Sequence, residues 1–291
     1  MSPPNSSPLS PTDDLDYLDT LFQETAASMA AQRQFAQDHL GQIAVAVAGD
    51  IVKGVVGAIP IVGPRLLHPI ELPPKGATQA EQYQHYKDML EARGYTLAAD
   101  KPTVVALRGV DTKGQSHTTT SATSYDETLV MISKDAKGEP HVTTFGGSTH
   151  PGQTTAAVGG TVGVPDVDGD GKADVGMINA GEYELVKHAV NGGDHNGAAA
   201  WDVHTVGGSG VLPGVRDTNH DGVYSQAEKD ASAARGDVLT GVMIHQGAAN
   251  APQSAGCINL SSSNSVYPEF IKSAGGAGNS MKLVILDGSK P

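Results

Sequence analysis

The sequence predicts a mainly β domain preceded by a small helical region, and therefore an α+β chain overall. Glycine is abundant, with 36 residues, and aromatic residues make up only 4% of the chain, which is typical of short strands joined by many turns. From residue 103 onward, short β-rich runs recur between glycine, aspartate and lysine turns. We predict two parts, residues 1–75 and residues 76–291.

The N-terminal part combines an amphipathic pattern with an apolar stretch. Apolar residues recur at three- and four-residue steps in residues 15–29, which predicts a helix with one apolar face. Residues 43–63 are apolar, but charged residues, glycines and a proline interrupt them, so we expect no stable membrane span. Hydrophobic packing of the two stretches is one interpretation, and docking onto a delivery machine or disturbing a membrane is the other. Residues 66–76 contain three prolines and are expected to form an extended linker.

The second part begins with a helix signal and continues with strands. Thr78 and Glu81 have capping-box spacing, and an apolar stripe follows that stops at Gly94, which predicts one helix. Strands are predicted at residues 103–107, 128–133, 141–145, 238–245 and 281–286. Because no further linker-like composition follows, we expect a single β-rich domain.

Charge and the first residues exclude some classes of function. The formal net charge is −13 and no Lys/Arg cluster is present, which argues against a nucleic-acid partner. Residues 1–12 carry no basic run followed by an apolar stretch, so we predict synthesis in the cytoplasm without a signal peptide. The acidic excess instead favours cation binding.

One acidic segment, residues 217–228, matches the twelve-residue EF-hand calcium loop and is called the Asp217 loop below. Oxygen ligands alternate along such a loop, a glycine makes its sharp turn, and a final glutamate closes the shell. Gly222 holds the turn position. The predicted ligands are Asp217, Asn219, Asp221, Val223 through its carbonyl, Ser225 and Glu228. Residues 226–235 have the composition of an exiting helix, whereas the preceding Pro213 and Gly214 argue against an entering one.

A second acidic segment, residues 166–177, is called the Asp166 loop. Its predicted ligands are Asp166, Asp168, Asp170 and Asp174. Gly171 holds the turn position, but Met177 stands where the closing glutamate belongs, so Asp174 or another group must supply that ligand. For both loops the alternative is a solvated acidic turn without metal. If calcium binds, we expect it to stiffen loops, with no direct part in catalysis; the histidines and the cysteine show no zinc-site spacing.

Cys257 is the only cysteine, so an intramolecular disulfide is excluded and the thiol is either an inert buried group or a nucleophile. Small residues precede it in Ser254-Ala255-Gly256-Cys257, which permits a tight turn and leaves backbone N–H groups near the sulfur. Upstream, an apolar run ends in His245-Gln246-Gly247. An imidazole near a thiol is the usual means of making it nucleophilic, so we predict that His245 and Cys257 meet.

The pattern His-x-Gly followed by Ser-x-Gly-Cys-hydrophobic-Asn resembles the signature of the L,D-transpeptidase catalytic domain. Earlier segments, residues 125–130, 147–152 and 181–197, resemble a divergent branch of that superfamily found in phage and secreted bacterial proteins. The resemblance implies a mainly β sandwich or barrel. Two departures are present: Ala255 stands where the family usually has a second histidine, and the loop between His245 and Cys257 is short.

The resemblance also implies roles for individual residues. Cys257 would attack the carbonyl of the third residue of a peptidoglycan stem peptide, and His245 would act as base and then as acid. Gly256 and Cys257 would offer oxyanion-hole amides. Supporting or substrate-binding positions would fall to Ser254, Asn259, Gly247 and His195. His195 is equally compatible with a loop residue without a role, and we interpret His188 and His204 as structural.

The function implied is L,D-carboxypeptidase hydrolysis, L,D-transpeptidation or D-amino-acid exchange on peptidoglycan stem peptides. The added N-terminal region predicts an antibacterial effector delivered to a target periplasm, with an immunity protein and a secretion-system component as partners. A phage-type lysis enzyme, a non-catalytic calcium-binding module and a membrane-active toxin are the alternatives.

Overall fold

Eight strands close into a barrel at the centre of the domain. The computed structural model describes residues 69–118, 124–152, 164–189, 193–195, 197–252 and 254–289. The barrel strands are β1 Thr103–Arg108, β2 Glu127–Lys134, β3 Pro140–Ser148, β5 Gly181–Lys187, β8 Trp201–Thr205, β11 Met243–Gln246, β12 Ile258–Leu260 and β13 Met281–Asp287. Around the barrel they follow the order β1-β13-β5-β8-β11-β12-β3-β2. The pairs β1/β13 and β11/β12 are parallel, and the others are antiparallel.

Strand β1 is buried on both of its faces, which explains its continuous apolar run. Val104 and Ala106 point into the barrel interior, where they join the fully buried Trp201. Val105 and Leu107 alternate with them and belong to a second apolar cluster on the other side of the strand. Helix α1, Gln79–Glu91, contributes to that cluster, so the barrel wall separates two cores.

Three helices accompany the strands in the described residues: α1 Gln79–Glu91, α2 Gln226–Arg235 and α3 Val266–Ser273. Helix α1 begins with the predicted capping box of Thr78 and Glu81. A second capping box, made by Ser225 and Glu228, starts α2, which ends at the left-handed Gly236. Helix α3 buries aromatic side chains in the barrel interior.

Two small sheets lie outside the barrel. The first has the order β10-β9-β4, with β10 Val238–Leu239, β9 Leu212–Arg216 and β4 Gly176–Ile178. The second pairs β6 Asp194–His195 with β7 Ala198–Ala199. The run predicted as one strand over residues 238–245 is therefore two strands in different sheets. Between them lies Gly241, whose φ of 68° suits a turn that glycine adopts without strain.

These observations confirm a mainly β, α+β architecture. The strands predicted over residues 103–107, 128–133, 141–145 and 281–286 lie within β1, β2, β3 and β13. The predicted N-terminal helix and the apolar stretch at 43–63 lie outside the described residues. The described part of the proline-rich linker contributes Ile70 to the second apolar cluster, so it packs on the domain. Within the described ranges, no helix has the length and apolarity that a membrane crossing requires.

Candidate active site around Cys257

Cys257 lies directly before β12, which pairs with the parallel strand β11. In the register of this pair, Ile244 lies opposite Ile258 and His245 lies opposite Asn259. Both isoleucines are fully buried in the barrel interior. Because side chains alternate between the faces of a strand, His245, Cys257 and Asn259 share the outer face of the barrel wall. The fold thus brings the predicted nucleophile and base onto one surface.

The Cys257 thiol is half-buried and protonated at neutral pH. The Met243 backbone N–H donates to Sγ over 3.4 Å, and the thiol donates to the Gly241 carbonyl oxygen over 3.7 Å. Burial raises the pKa of the Cys257 thiol to about 11, although the Met243 N–H acts in the opposite direction. Another group must therefore remove the proton before the sulfur becomes a nucleophile.

The His245 imidazole is only 2% exposed, and both of its nitrogens are hydrogen-bonded. Nδ1 lies 2.8 Å from the Gln246 carbonyl oxygen, and Nε2 lies 3.0 Å from the Asn259 amide nitrogen. A carbonyl accepts and an amide N–H donates, so Nδ1 carries the proton and Nε2 presents its lone pair. Burial lowers the pKa of His245 to about 4, which keeps the ring neutral at pH 7.

Cys257 and His245 therefore lie near each other on adjacent strands, but they are not hydrogen-bonded. Among the hydrogen bonds of the described residues, none joins an imidazole nitrogen of His245 to Cys257 Sγ. The Nε2 lone pair of His245, which would have to accept the thiol proton, instead accepts a hydrogen bond from Asn259, two residues after Cys257. Proton transfer requires Nε2 to exchange its contact with the Asn259 amide for one with the thiol.

A row of polar side chains extends from His245 across the barrel wall. The His195 ring lies edge-on to His245, with centroids 4.5 Å apart, and the His188 ring lies 6.2 Å from His195. His188 Nδ1 in turn lies 2.8 Å from a carboxylate oxygen of Asp202. Burial and the neighbouring His188 lower the pKa of His195. Sequence reasoning left His188 as structural and did not single out Asp202, because their pairing depends on the β5/β8 register.

The backbone before Cys257 is held by close contacts that its small residues permit. Ser254 Oγ donates to the Cys257 carbonyl oxygen over 2.9 Å. Gly256 has a φ of 146°, and a Cβ there would lie 2.6 Å from the Gly176 carbonyl oxygen of β4. Glycine is thus required at position 256. Among the described backbone hydrogen bonds outside helices and strands, none is donated by the Gly256 or Cys257 amide.

Tyr125 braces the loop that follows His245. Its hydroxyl donates to the carbonyl oxygens of Ala248, over 2.6 Å, and Ala251, over 3.1 Å. A Cβ at Gly247 would lie 2.3 Å from the same hydroxyl, so a larger residue there would displace it. Gly247 therefore has a steric role in holding the loop.

A fully buried polar cluster centred on Glu127 holds Thr149 and His150 in place, at the end of β3. The Glu127 carboxylate accepts from the backbone N–H groups of Gly109, over 2.8 Å, and Thr149, and it lies 3.2 Å from His150 Nδ1. Arg108 donates to the Thr149 hydroxyl over 3.0 Å. His150 and Arg108 lower the pKa of Glu127 to about 2 against the effect of burial, so the carboxylate is ionised.

Cys257 also borders a cavity of about 160 Å³, which we call the Cys257 cleft. The cleft lies at the N-terminal ends of β11 and β12, away from His245. Its lining residues are Val164, Arg216, Leu239, Thr240, Gly241, Val242, Ala255, Gly256 and Cys257. Arg216 is the only charged side chain among them, and sequence reasoning missed it. Its one sequence signal is its place directly before the Asp217 loop.

The Asp217 loop has the internal geometry of a calcium loop. His220 and Gly222 have φ values of 59° and 77°, and the Gly222 N–H donates to the Asp217 carboxylate over 3.0 Å. The other carboxylate oxygen of Asp217, Oδ1, is buried without a hydrogen-bond partner. Glu228 instead accepts from the backbone N–H groups of Thr218 and Ser225. An orphaned buried oxygen fits a cation that the loop would hold.

The Asp166 loop brings three carboxylates together. One oxygen from each of Asp166, Asp168 and Asp174 lies within 4.8 Å of the others, so this trio can hold a metal ion. Asp170, the fourth predicted ligand, lies 3.1 Å from Lys172 and outside the trio. His220 of the Asp217 loop lies 2.8 Å from the Asp174 carboxylate, which links the two loops.

Comparison of the chain with known proteins adds no relative to this picture. No family model matches the sequence, no curated protein matches it, and no solved structure matches its fold.

Proposed function

We propose that the domain is a cysteine acyl-transfer enzyme that cuts peptidoglycan stem peptides by L,D-carboxypeptidase, exchange or L,D-transpeptidase chemistry. The observation that supports it most is the placement of Cys257 between a buried neutral imidazole and a small cleft. The motif resemblance supplies the substrate class. The structure supports the chemistry through the side chains that flank the sulfur.

In the proposed reaction, His245 Nε2 takes the thiol proton when substrate replaces the Asn259 contact. The sulfur then bonds to the carbonyl carbon of the third stem residue, and the oxyanion accepts hydrogen bonds from the Gly256 and Cys257 amides. The protonated imidazole returns its proton to the nitrogen of the fourth residue as the C–N bond breaks. Water or an amine attacks the thioester next, with His245 as base, and regenerates the thiol.

In this proposal His195 substitutes for the family's second histidine, whose position in the sequence is held by Ala255. Its ring contacts His245 from β6, so it can orient the imidazole or a water that approaches the thioester. The cleft beside Cys257, of about 160 Å³, leaves little room for a large amine acceptor. Hydrolysis and exchange with small D-amino acids are therefore the favoured outcomes.

Calcium is the proposed metal for both acidic loops. Oxygen donors from Asp217, Asn219 and Asp221, and the trio of the Asp166 loop, form the hard donor set that calcium prefers. Bound calcium would neutralise the loops and stiffen the β4/β9 wall of the cleft. We further propose an antibacterial effector, with an immunity protein and a secretion-system component as partners, that acts in a target periplasm.

The test is incubation of purified muropeptides with the wild type and with Cys257→Ala in the presence of calcium, with products measured by mass spectrometry. Tetrapeptide stems that lose or exchange their fourth residue with the wild type alone would support the proposal. Matching circular-dichroism spectra and melting temperatures provide the folding control. Identical muropeptide profiles for the two proteins would refute it.

One observation favours a second candidate, a non-catalytic calcium-binding module. The thiol is protonated and, in the described residues, His245 does not bond to it. On this alternative Cys257 is an inert group in the wall. A thiol probe separates the two, because an enzyme must label at Cys257 in the folded, calcium-loaded protein, whereas the module would label only after denaturation.

A further inference from the structure

We infer that Arg216 forms a carboxylate-binding subsite in the Cys257 cleft, which takes the free α-carboxylate of the stem-peptide residue that leaves. The inference deepens the proposed function and rests on it for the identity of the substrate. The presence of an anion site beside the thiol depends only on the residues that surround Arg216.

The Arg216 side chain is only 6% exposed, yet its guanidinium is incompletely bonded. Nη1 donates to the Asp174 carbonyl oxygen over 3.1 Å and Nη2 to the Val238 carbonyl oxygen over 2.6 Å. The buried Nε–H has no hydrogen-bond partner. Neutral backbone oxygens are thus its only acceptors in the described residues.

Arg216 also has no carboxylate partner within 4.0 Å in the described part of the chain, because the nearest acidic groups are held by other cations or donors. Asp237 pairs with Arg235 at 2.7 Å. The Asp174 carboxylate lies 2.8 Å from His220 and accepts from the Val167 N–H over 2.6 Å. These carboxylates act on Arg216 only at longer range. Burying a cation without a counter-ion costs free energy, so the surroundings of Arg216 favour the binding of an anion from solvent.

Arg108 provides the internal contrast. Arg108 is 1% exposed, its Nε and Nη2 donate to the Thr149 hydroxyl and carbonyl oxygen, and none of its buried nitrogens lacks a hydrogen-bond partner in the described residues. Arg108 does not line the Cys257 cleft. Neither arginine forms an ion pair within 4.0 Å in the described residues, so the feature that distinguishes Arg216, beside the thiol, is its buried Nε–H without a hydrogen-bond partner.

The size and position of the cleft select the anion. A cavity of about 160 Å³ holds little more than one small amino acid. In the proposed reaction the nitrogen of the leaving residue is bonded to the carbonyl that Cys257 attacks, and its α-carboxylate lies one carbon further on. A planar guanidinium whose Nε–H has no partner suits a carboxylate at that point. The subsite would select stems that end in a free carboxylate at the fourth residue.

The first test compares the alkylation of Cys257 by iodoacetate and by iodoacetamide, each relative to free cysteine. An anion site beside the thiol should raise the iodoacetate-to-iodoacetamide rate ratio in the wild type. Arg216→Gln should lower that ratio by about tenfold, and Arg216→Lys, which keeps the charge, by less. An unchanged ratio in folded Arg216→Gln would overturn the inference.

A second measurement needs only the wild type and so survives any folding defect of the variants. N-acetyl-D-alanine should slow the alkylation of Cys257 by iodoacetamide, whereas N-acetyl-D-alaninamide, which lacks the carboxylate, should not. Equal protection by the two compounds, or protection by neither, would contradict a carboxylate subsite.

The third measurement separates this inference from the proposed function. The wild type should cleave a tetrapeptide stem at least about tenfold more efficiently than the same stem with a C-terminal amide. Equal cleavage of the two would refute the subsite and leave the cysteine enzyme intact. Cleavage of neither would refute the proposed function, and the alkylation and protection results would then decide the anion site alone.

Discussion

The two sides of Cys257 differ in how fully their polar groups are satisfied. Along the strands, His245 is neutral, buried and hydrogen-bonded at both nitrogens. At the strand ends, Arg216 is charged and buried, and its Nε–H has no partner. The contrast teaches that the two sides of Cys257 suit different tasks: the side of His245 suits proton transfer, and the side of Arg216 suits the binding of an anion. Each side can be tested without disturbing the other.

Replacement of His245 should produce the largest effect on the proton-transfer side. In His245→Gln we expect the turnover of tetrapeptide stems to fall by about 10³-fold, because no base remains to take the thiol proton. The KM should change little, since Arg216 is untouched. Steady-state kinetics on muropeptides would measure both.

His204→Gln is the matched control, because His204 lies on β8 and has no contact with Cys257 in the described hydrogen bonds. It should retain wild-type turnover. A rise in KM with unchanged turnover in His245→Gln would contradict the division of labour between the two sides.

The pH dependence of thiol labelling should show the second largest effect. With the pKa of Cys257 at about 11, the thiolate fraction at pH 7 is about 100-fold lower than for a thiol with a pKa near 9. The rate of alkylation by neutral iodoacetamide should rise about tenfold per pH unit and level off only near pH 11. A plateau near pH 7 would instead reveal a thiolate–imidazolium pair in the resting protein.

The pH dependence of the free energy of unfolding tests whether His245 is shielded from water in the folded protein. The unfolded histidine takes up a proton below about pH 6.5, whereas the folded one does so only near pH 4. Stability is therefore complete above pH 6.5 and falls as the pH drops towards 4, by on the order of 3 kcal/mol. Urea unfolding of the wild type and of His245→Gln across this window would measure the difference.

Other groups with shifted pKa values contribute to the slope that remains in His245→Gln, among them His195 and Glu127. His195, whose pKa is also lowered by burial, should contribute as the pH falls below about 6.5. Glu127 should contribute only as the pH falls from about 4.5 towards 2, because its carboxylate is ionised in the folded state. A variant with the full wild-type slope between pH 6.5 and 4 would show that His245 is hydrated.

The sequence predicted the local features of this site and missed the long-range ones. Capping residues, glycine turns and β-rich runs act over a few residues, so α1, the exiting helix α2 and most of the predicted strands are where local patterns placed them. The sequence also placed the proposed nucleophile and base, Cys257 and His245, near each other, since a short loop joins their strands. Arg216 was not, because its importance comes from the pairing of β9 with β4 and from the packing of that sheet near Gly256. The links between Glu127 and His150 and between His188 and Asp202 depend in the same way on strand register.

Calcium should act on the anion-binding side alone, and with the smallest effect. The β9 strand connects Arg216 directly to the Asp217 loop, and Arg216 also bonds to the Asp174 carbonyl oxygen of the Asp166 loop. Ligand binding to the folded state stabilises it by about 2.7 kcal/mol at a hundredfold excess over Kd, so calcium should raise the melting temperature by several degrees. It should also raise the iodoacetate-to-iodoacetamide ratio at Cys257, because neutralised loops no longer repel an approaching anion.

Two substitutions divide this effect between the loops. Asp168→Asn should weaken the Asp166 site, and Asp221→Asn the Asp217 site, each with a smaller calcium-dependent rise in melting temperature. Lys172→Gln, which alters a neighbouring charge but removes no predicted ligand, is the control. Because His245 contacts neither loop in the described residues, the pH dependence of iodoacetamide labelling should be the same with calcium and with a chelator. A shift in that profile on calcium removal would mean that the two sides of Cys257 are coupled.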